Sequence, residues 1–291
     1  MATPILLTGA SGYVGSHLLD ELRRRDVPVR ALARDPAKLP AGLVEIARGD
    51  VVSGDGLAEA LAGCRVAIYL IHSMEGRAGD FAARDRAAAV NFGEAARDAG
   101  VERVIYLGGL GADASSEHLR SRDEVAVLLR QRVPQLVYAR AAMIIGPGSA
   151  SFEMLRHLTQ RLPVMITPRW LDTRTQPIAI ADVAGALAAL AERDDAPAEV
   201  DLGGADVLSY RDMIRRTASV LGRRRPIVIR VPLLTPRLSS YWVALVTPVE
   251  LGVVRPLVEG LGEEMIVRTP PPPGINDAPM RFDDAVRAAL A

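Results

Sequence analysis

The 291-residue sequence predicts an α/β protein of Rossmann type, a doubly wound parallel sheet with a small C-terminal subdomain on the substrate side. Three observations carry that expectation. The chain opens on ILLTGASGYVGSHLLDEL, an apolar strand that turns through glycines into an amphipathic helix. Short apolar runs then alternate with longer segments of helical period, the rhythm of βαβ units. Beyond about residue 160 that alternation loosens, which divides the chain into 1–160 and a C-terminal region, 161–291, interleaved with the sheet.

Taken in order, Ile5, Leu6 and Leu7 make the first strand, and Val14, Leu18, Leu19 and Leu22 mark the inner stripe of the first helix. VPVRALAR is the second strand, and Asp35 followed by Pro36 reads as an N-cap and first-turn pair. LVEIARGD, CRVAIYLIH, RVIYLGGLG and QLVYARAAMII supply further strands, with helices near 55–62, 80–99, 117–132 and 150–160. VMITPRW follows, then TQPIAIADVAGALAAL as strand and helix, with Asp182 as the expected N-cap. Ser209 and Asp212 form a capping box that opens the helix YRDMIRRTASVLG, and PIVIRVP is a strand. TPPPPGINDAP reads as a linker or surface turn. The apolar stretch YWVALVTPVELGVVRPLVEGL is broken by Pro248, Glu250, Arg255 and Pro256, too often for a membrane span, and reads as a pair of cap helices or a subunit interface.

Bulk numbers narrow the functional classes. Lys plus Arg and Asp plus Glu both number 35, so no strong field points to nucleic acid or to an acidic membrane. The expected partners are a small-molecule substrate and a second copy of the chain. The single cysteine, Cys64, cannot form an internal disulfide, and its apolar run fits a buried strand in a reducing compartment. The start of the chain shows no basic region followed by an apolar core, so the expected location is the cytoplasm. His17 and His157 are dispersed, nothing has metal-ligand spacing, and no metal is expected.

The glycines of the opening turn have separate mechanical roles. Gly9 allows the tight turn, Gly12 lets a pyrophosphate approach the backbone, and Gly15 allows helix and strand to touch. Phosphates then face the helix N-terminus, where unpaired N–H groups and the macrodipole favour negative charge. Thr8, Ser11, Tyr13 and Val14 complete this dinucleotide cradle. About twenty residues on, where an acidic side chain commonly holds the ribose of NAD, the chain reads ALARDPAKL. Ala33 stands at that position, and Arg34 and Lys38 offer two cations to a 2′-phosphate, which favours NADP(H) over NAD(H). Against this, both cations fit an ordinary solvated surface. Asp50, with Val51 beside it, is placed either at the adenine edge or in a plain strand-end turn.

The spelling TGxxGxxG resembles the short-chain dehydrogenase/reductase superfamily, and from residue 4 to about 185 the chain is most similar to its atypical, NmrA-like NAD(P)H-binding branch. TGASGYVG, RALARDPAKL, the RGDV turn, Asn91 in AAAVNFGEAARDAGV, VIYLGGLG, ARAAMIIGPGS and PIAIADVAGAL carry the likeness. The resemblance implies a Ser, a Tyr and a Lys in Y-x-x-x-K spacing, and this chain departs from it. The strand that should bear the serine ends in Gly108 and Gly109, and the following helix holds His118 and Arg122 at the Tyr and Lys spacing. Residues four apart share one helix face, so this pair points together. Histidine moves protons near its reference pKa of about 6.5, whereas arginine only binds or stabilises negative charge. A solvated face that includes Arg120 explains the same residues equally well.

Lesser candidates are Ser115 and Ser116 as substitutes for the strand serine, and His72 after the fourth strand as a cofactor or substrate contact. Tyr106 reads as core or site, Asn91 as a bond to backbone or water in the central helix, and Arg174 with Gln176 as pocket lining. Three functions follow. The first is an NADP(H)-dependent oxidoreductase that passes hydride to a small apolar acceptor, a quinone, carbonyl or imine. The second is an NADP(H) sensor without turnover, and the third an epimerase or dehydratase of nucleotide sugars, which the missing tyrosine disfavours.

Overall fold

The central strands are apolar on both faces because helices cover both faces. The computed structural model describes residues 3–39, 45–72, 80–111, 117–167, 169–230 and 236–291. In β1 (Ile5–Thr8) every residue is buried. Leu7 points into the layer of α1 (Tyr13–Arg24) and α6 (Ile180–Glu192). Leu6 points the other way, toward α2 (Leu57–Leu61), α3 (Asp80–Asp98) and α4 (Glu117–Arg130). The buried stripe of α1 is Gly15, Leu18, Leu19 and Leu22, the 3.6-residue period of a helix lying on a sheet. Each of these leucines contributes about 1.5–3 kcal/mol by leaving water.

The main sheet has seven parallel strands in the order β11-β6-β5-β4-β1-β2-β3. They are β2 (Val29–Ala33), β3 (Glu45–Arg48), β4 (Val66–Tyr69), β5 (Arg103–Gly109), β6 (Gln135–Ala141) and β11 (Glu199–Leu202) beside β1. The order reverses between β1 and β4, and a doubly wound sheet opens its ligand crevice at that switch point. The doubly wound parallel sheet expected from the sequence is therefore present. The region after residue 161 contributes β11 to this sheet, so its interleaving is physical: β11 pairs β6 in register from Glu199 beside Tyr138 to Leu202 beside Ala141.

The rest of the chain builds a second layer above the carboxyl ends of the strands. Three two-stranded pairings, β7 (Ile144–Ile145) with β10 (Ile178–Ala179), β9 (Arg174–Thr175) with β12 (Leu208–Ser209), and β8 (Val164–Thr167) with β13 (Ile227–Arg230), frame it. Five helices pack around them: α5 (Ala150–Arg161), α7 (Tyr210–Val220), α8 (Pro236–Val246), α9 (Leu251–Gly260) and α10 (Phe282–Leu290). The broken apolar stretch forms the helix pair α8 and α9, and no helix among the described residues is long and apolar enough to cross a membrane.

Local expectations fare unevenly. Asp35 accepts from the Ala37 N–H at 3.2 Å, and Ser209 accepts from Asp212 at 3.1 Å while donating to its carboxylate at 2.6 Å. Asp182 does not cap its helix: Ala179 holds that position, and the Asp182 carboxylate accepts from the Met280 N–H at 2.8 Å, tying the tail to α6. Cys64 is buried, but it lies before β4 instead of within a strand, near the Ala60 carbonyl, and burial pushes its thiol pKa up.

Candidate active site

The cradle is built from close approach. Gly9 has φ +68°, a conformation that L side chains rarely adopt, and a Cβ there would meet the Leu70 carbonyl oxygen at 3.1 Å. A Cβ on Gly15 would stand 2.7 Å from the Gly9 carbonyl carbon, against backbone that cannot yield. Gly12 differs: it is exposed, with an ordinary φ of −80°, and a Cβ there meets one atom, the Gly9 oxygen at 3.1 Å. Gly12 is also the N-cap of α1, and that helix has neither a side-chain cap nor an acidic residue in its first turn. Its leading N–H groups are left to an anion from outside, the condition a pyrophosphate requires. The residues present therefore fit a dinucleotide.

The flanking residues divide into bracing and reaching roles. Thr8 is buried and joins β1 to β4, donating to the Ile68 carbonyl at 3.2 Å and accepting from the Leu70 N–H at 3.0 Å. Asp50 accepts from the Val52 N–H at 2.8 Å, the strand-end turn, and Val51 is core. Asn91 reaches across from α3 and donates to the Val51 and Val52 carbonyls at 3.2 and 2.8 Å, pinning that turn. Ser11, Arg34 and Lys38 are exposed. Arg48, which sequence reasoning did not single out, stands beside Ala33 in the β2/β3 register and is exposed as well. The signal lay in the RGDV turn itself, of which Arg48 is the first residue. Among the described residues, Arg34, Lys38 and Arg48 make no ion pair; Arg34 and Arg48 stand at the carboxyl ends of the adjacent strands β2 and β3, and Lys38 ends the short turn Pro36–Lys38 that follows β2.

At the other end, the missing strand serine has a steric cause. A Cβ on Gly108 would stand 2.5 Å from the Tyr138 hydroxyl oxygen, so a side chain there would have to displace that ring. Tyr138 stacks on Tyr106 with ring centroids 5.4 Å apart and donates to Asp123 at 2.7 Å. Burial, aided by Asp123, raises the Tyr138 pKa well above its ordinary value; burial does the same to Tyr106, with Arg122 opposing. Both stay neutral. Arg122 lines the cavity from α4, and its Nε is buried without a hydrogen-bond partner. The His118 side chain, Ser115 and Ser116 lie outside the described residues. His72 lines the cavity, its Nε2 3.1 Å from the Leu107 carbonyl.

Between this end of the cradle and the second layer lies a cavity of about 520 Å³. Gly9, Gly12, Tyr13 and Gly15 form one wall, Met143, Met154, Met165 and Met265 much of the opposite one, with Val243 and Val258 from α8 and α9 closing it. Half of the chain's 8 methionines lie here, an irregular and adaptable surface, and that concentration in an alanine-rich chain was the readable signal that went unused. Tyr13 presents a buried hydroxyl beside Ser149; burial pushes its pKa up to about 12, although hydrogen bonding to Ser149 opposes the shift. Arg174 and Gln176 are not lining residues, contrary to expectation. Arg174 pairs with Glu264 at 2.9 Å, and Gln176 clamps two backbones, donating to the Gly204 carbonyl and accepting from the Val267 N–H.

Comparison with known proteins agrees with this geometry. Residues 9–141 match the family model described as NAD(P)H-binding. The chain therefore has a Rossmann fold whose first part, residues 9–141, is similar to an NAD(P)H-binding domain. The 3β-hydroxysteroid dehydrogenase/Δ5→4-isomerase of Mycobacterium tuberculosis is 31% identical over 130 residues, 41% of this chain and 35% of that one. The chain thus spans about a third of the length of the first curated relatives it matches. The ceramide reductase of Caulobacter vibrioides is 28% identical over 237 residues, 78% of this chain and 73% of that one. The NADPH-dependent quinone oxidoreductase of Escherichia coli, solved with NADPH, has the same fold, with a TM-score of 0.77, 20% identity, and coverage of 99% and 100%.

Proposed function

We propose that this protein is an NADP(H)-dependent reductase of a small, apolar acceptor, a quinone, carbonyl or imine. The observation that carries the reading is the continuity of site and cavity: the glycine cradle opens directly on a methionine- and leucine-lined chamber. When bound, the reduced dinucleotide supplies hydride. The chain's own residues hold and orient. The α1 N–H groups bind the pyrophosphate, and Arg34, Lys38 and Arg48 bind a 2′-phosphate. Thr8 and Asn91 brace the strand ends that carry those groups. The apolar walls exclude water and select an apolar acceptor, Tyr13 donates a hydrogen bond and keeps its proton at neutral pH, and Arg122 stabilises developing negative charge. His118 is assigned the proton-donor role on its sequence spacing from Arg122 alone. Two relatives are named for apolar substrates, a steroid and a ceramide, which supports the acceptor class.

A non-catalytic NADP(H) sensor is the second reading, favoured by Gly108, where a catalytic serine would have to displace the Tyr138 ring. A nucleotide-sugar epimerase fits poorly, because so apolar a chamber offers a sugar diphosphate few partners. The experiment is NADPH oxidation against a panel of quinones and carbonyls, for the parent, His118→Ala and Arg34→Ala. The reductase reading expects turnover with apolar acceptors, a slower His118→Ala, and an Arg34→Ala whose preference for NADPH over NADH falls about tenfold or more. Tight NADPH binding without turnover of any acceptor supports the sensor instead. The lone cysteine keeps the cytoplasm as the proposed compartment, with a homodimer as the proposed assembly.

A further inference from the structure

The outer wall of the cavity has a pattern that the reductase reading does not use. From residue 213 to residue 249 the chain carries seven arginines and no acidic residue, and from 156 to 171 three arginines and none, in a protein whose charges otherwise balance at 35 against 35. The two stretches meet in space. β8 and β13 pair in parallel, Ile227 beside Val164, and the Ile227 N–H donates to the Pro163 carbonyl at 2.9 Å. Arg223 donates to the Gln160 carbonyl at 3.2 Å, and Arg161 reaches the Val246 carbonyl at the end of α8 at 2.7 Å.

Side chains alternate along a strand, so this two-stranded wall has an inside and an outside. Met165 faces in, buried and lining the cavity. Val164, Ile227 and Ile229 face out, 45%, 64% and 48% exposed, and on α8 Tyr241 and Leu245 are 52% and 83% exposed. With Leu251 at the start of α9, six of the ten large apolar side chains exposed among the described residues lie on this side, which makes it a patch and not scatter. Arg161, Arg223, Arg224 and Arg225 are exposed at its border, and Arg224 and Arg225 have no ion pair among the described residues.

We propose that this face docks on a lipid bilayer surface bearing anionic headgroups. Charge complementarity chooses that occupant: apolar side chains enter the interface while a fringe of arginines meets anionic phosphates. A second copy is the poorer partner, because two-fold pairing sets the same arginine-fringed patch against itself; Arg156, Arg215 and Arg216 already pair with Glu153, Asp212 and Asp283, which leaves Arg224 and Arg225 as the fringe that a partner must neutralise. The contact is peripheral, since no described helix is long enough to span. Only one strand layer then separates the bilayer from the cavity. An apolar acceptor would reach Met165 from lipid, a consequence that rests on the proposed reductase function, whereas the docking itself does not.

The test is flotation with vesicles of phosphatidylcholine alone and of phosphatidylcholine containing phosphatidylglycerol. The parent is expected to float with the anionic vesicles at low salt and to be released by high salt. Ile227→Glu with Leu245→Glu should abolish flotation, and Arg224→Glu with Arg225→Glu should weaken it by about fivefold for each arginine reversed. None of these four residues lines the cavity, so NADPH oxidation with a water-soluble acceptor should be unchanged in every variant. The arginine pair is exposed and makes no ion pair among the described residues, so its result stands even where the apolar pair perturbs folding. The proposal is overturned if the parent stays at the bottom with anionic vesicles at low salt, or if all variants float alike. Light scattering that shows Leu245→Glu converting a dimer to a monomer would assign the face to a second copy and overturn it too. Flotation without any turnover would instead count against the reductase reading alone.

Discussion

A hydroxyl half removed from water is stabilised by each hydrogen bond it makes, and Tyr13 carries one beside Ser149 at the junction of cradle and cavity. A ligand that accepts a hydrogen bond there adds to it on binding. Tyr13→Phe is therefore expected to change the stability of the ligand-free protein by no more than about 1 kcal/mol, while weakening NADPH or acceptor binding several-fold. Paired thermal melts and NADPH titrations check this, and a variant that is less stable yet binds normally would contradict it. At the same scale, the sequence made the glycines legible because each answers a hard steric demand, as Gly15 does against Gly9. It could not reveal why Gly108 is glycine. The cause is the Tyr138 ring, thirty residues away in the chain and brought there only by the pairing of β5 with β6.

Among the elements, α7 lines the cavity with Tyr210 and Ile214, and an ionic clasp holds α7 to α10. Arg216 donates to Asp283 at 2.7 Å and lies 3.2 Å from Asp206, which also accepts from the Phe282 N–H at 2.8 Å. Burial alone would raise the Asp206 pKa, but the Phe282 N–H and Arg216 outweigh it and hold the carboxyl below its ordinary value. The clasp therefore stabilises the fold fully above the unfolded carboxyl pKa of about 3.9 and loses that contribution as pH falls through the lower folded value. Asp206→Asn should lower stability at pH 7 by on the order of 1–2 kcal/mol, read as a lower Tm, and the gap to the parent should close in acid, below about pH 4. A gap that persists there would place the effect in packing. Capping signals such as Asp35 and Ser209 were readable because they act within three residues, whereas Asp182 was misread because its partner Met280 lies far along the chain.

Across the whole molecule, the parallel order of the main sheet brings every strand's carboxyl end to one edge, and the second layer roofs that edge instead of standing apart. This is why the C-terminal third resisted reading: its strands are two to four residues long and pair with partners distant in sequence, so periodicity carries little of its topology. The account depends on anion binding at the bare start of α1, and Gly12 isolates that event, because its φ is ordinary and an added methyl meets only the Gly9 oxygen at 3.1 Å. Calorimetric titration of NADPH into the parent and Gly12→Ala, with melts of both, is the most direct measurement. The account predicts one site per chain in the parent, a Tm within a few degrees in the variant, and affinity reduced about tenfold or more. Absence of NADPH and NADH binding in the parent, or equal affinity in the variant, would contradict it.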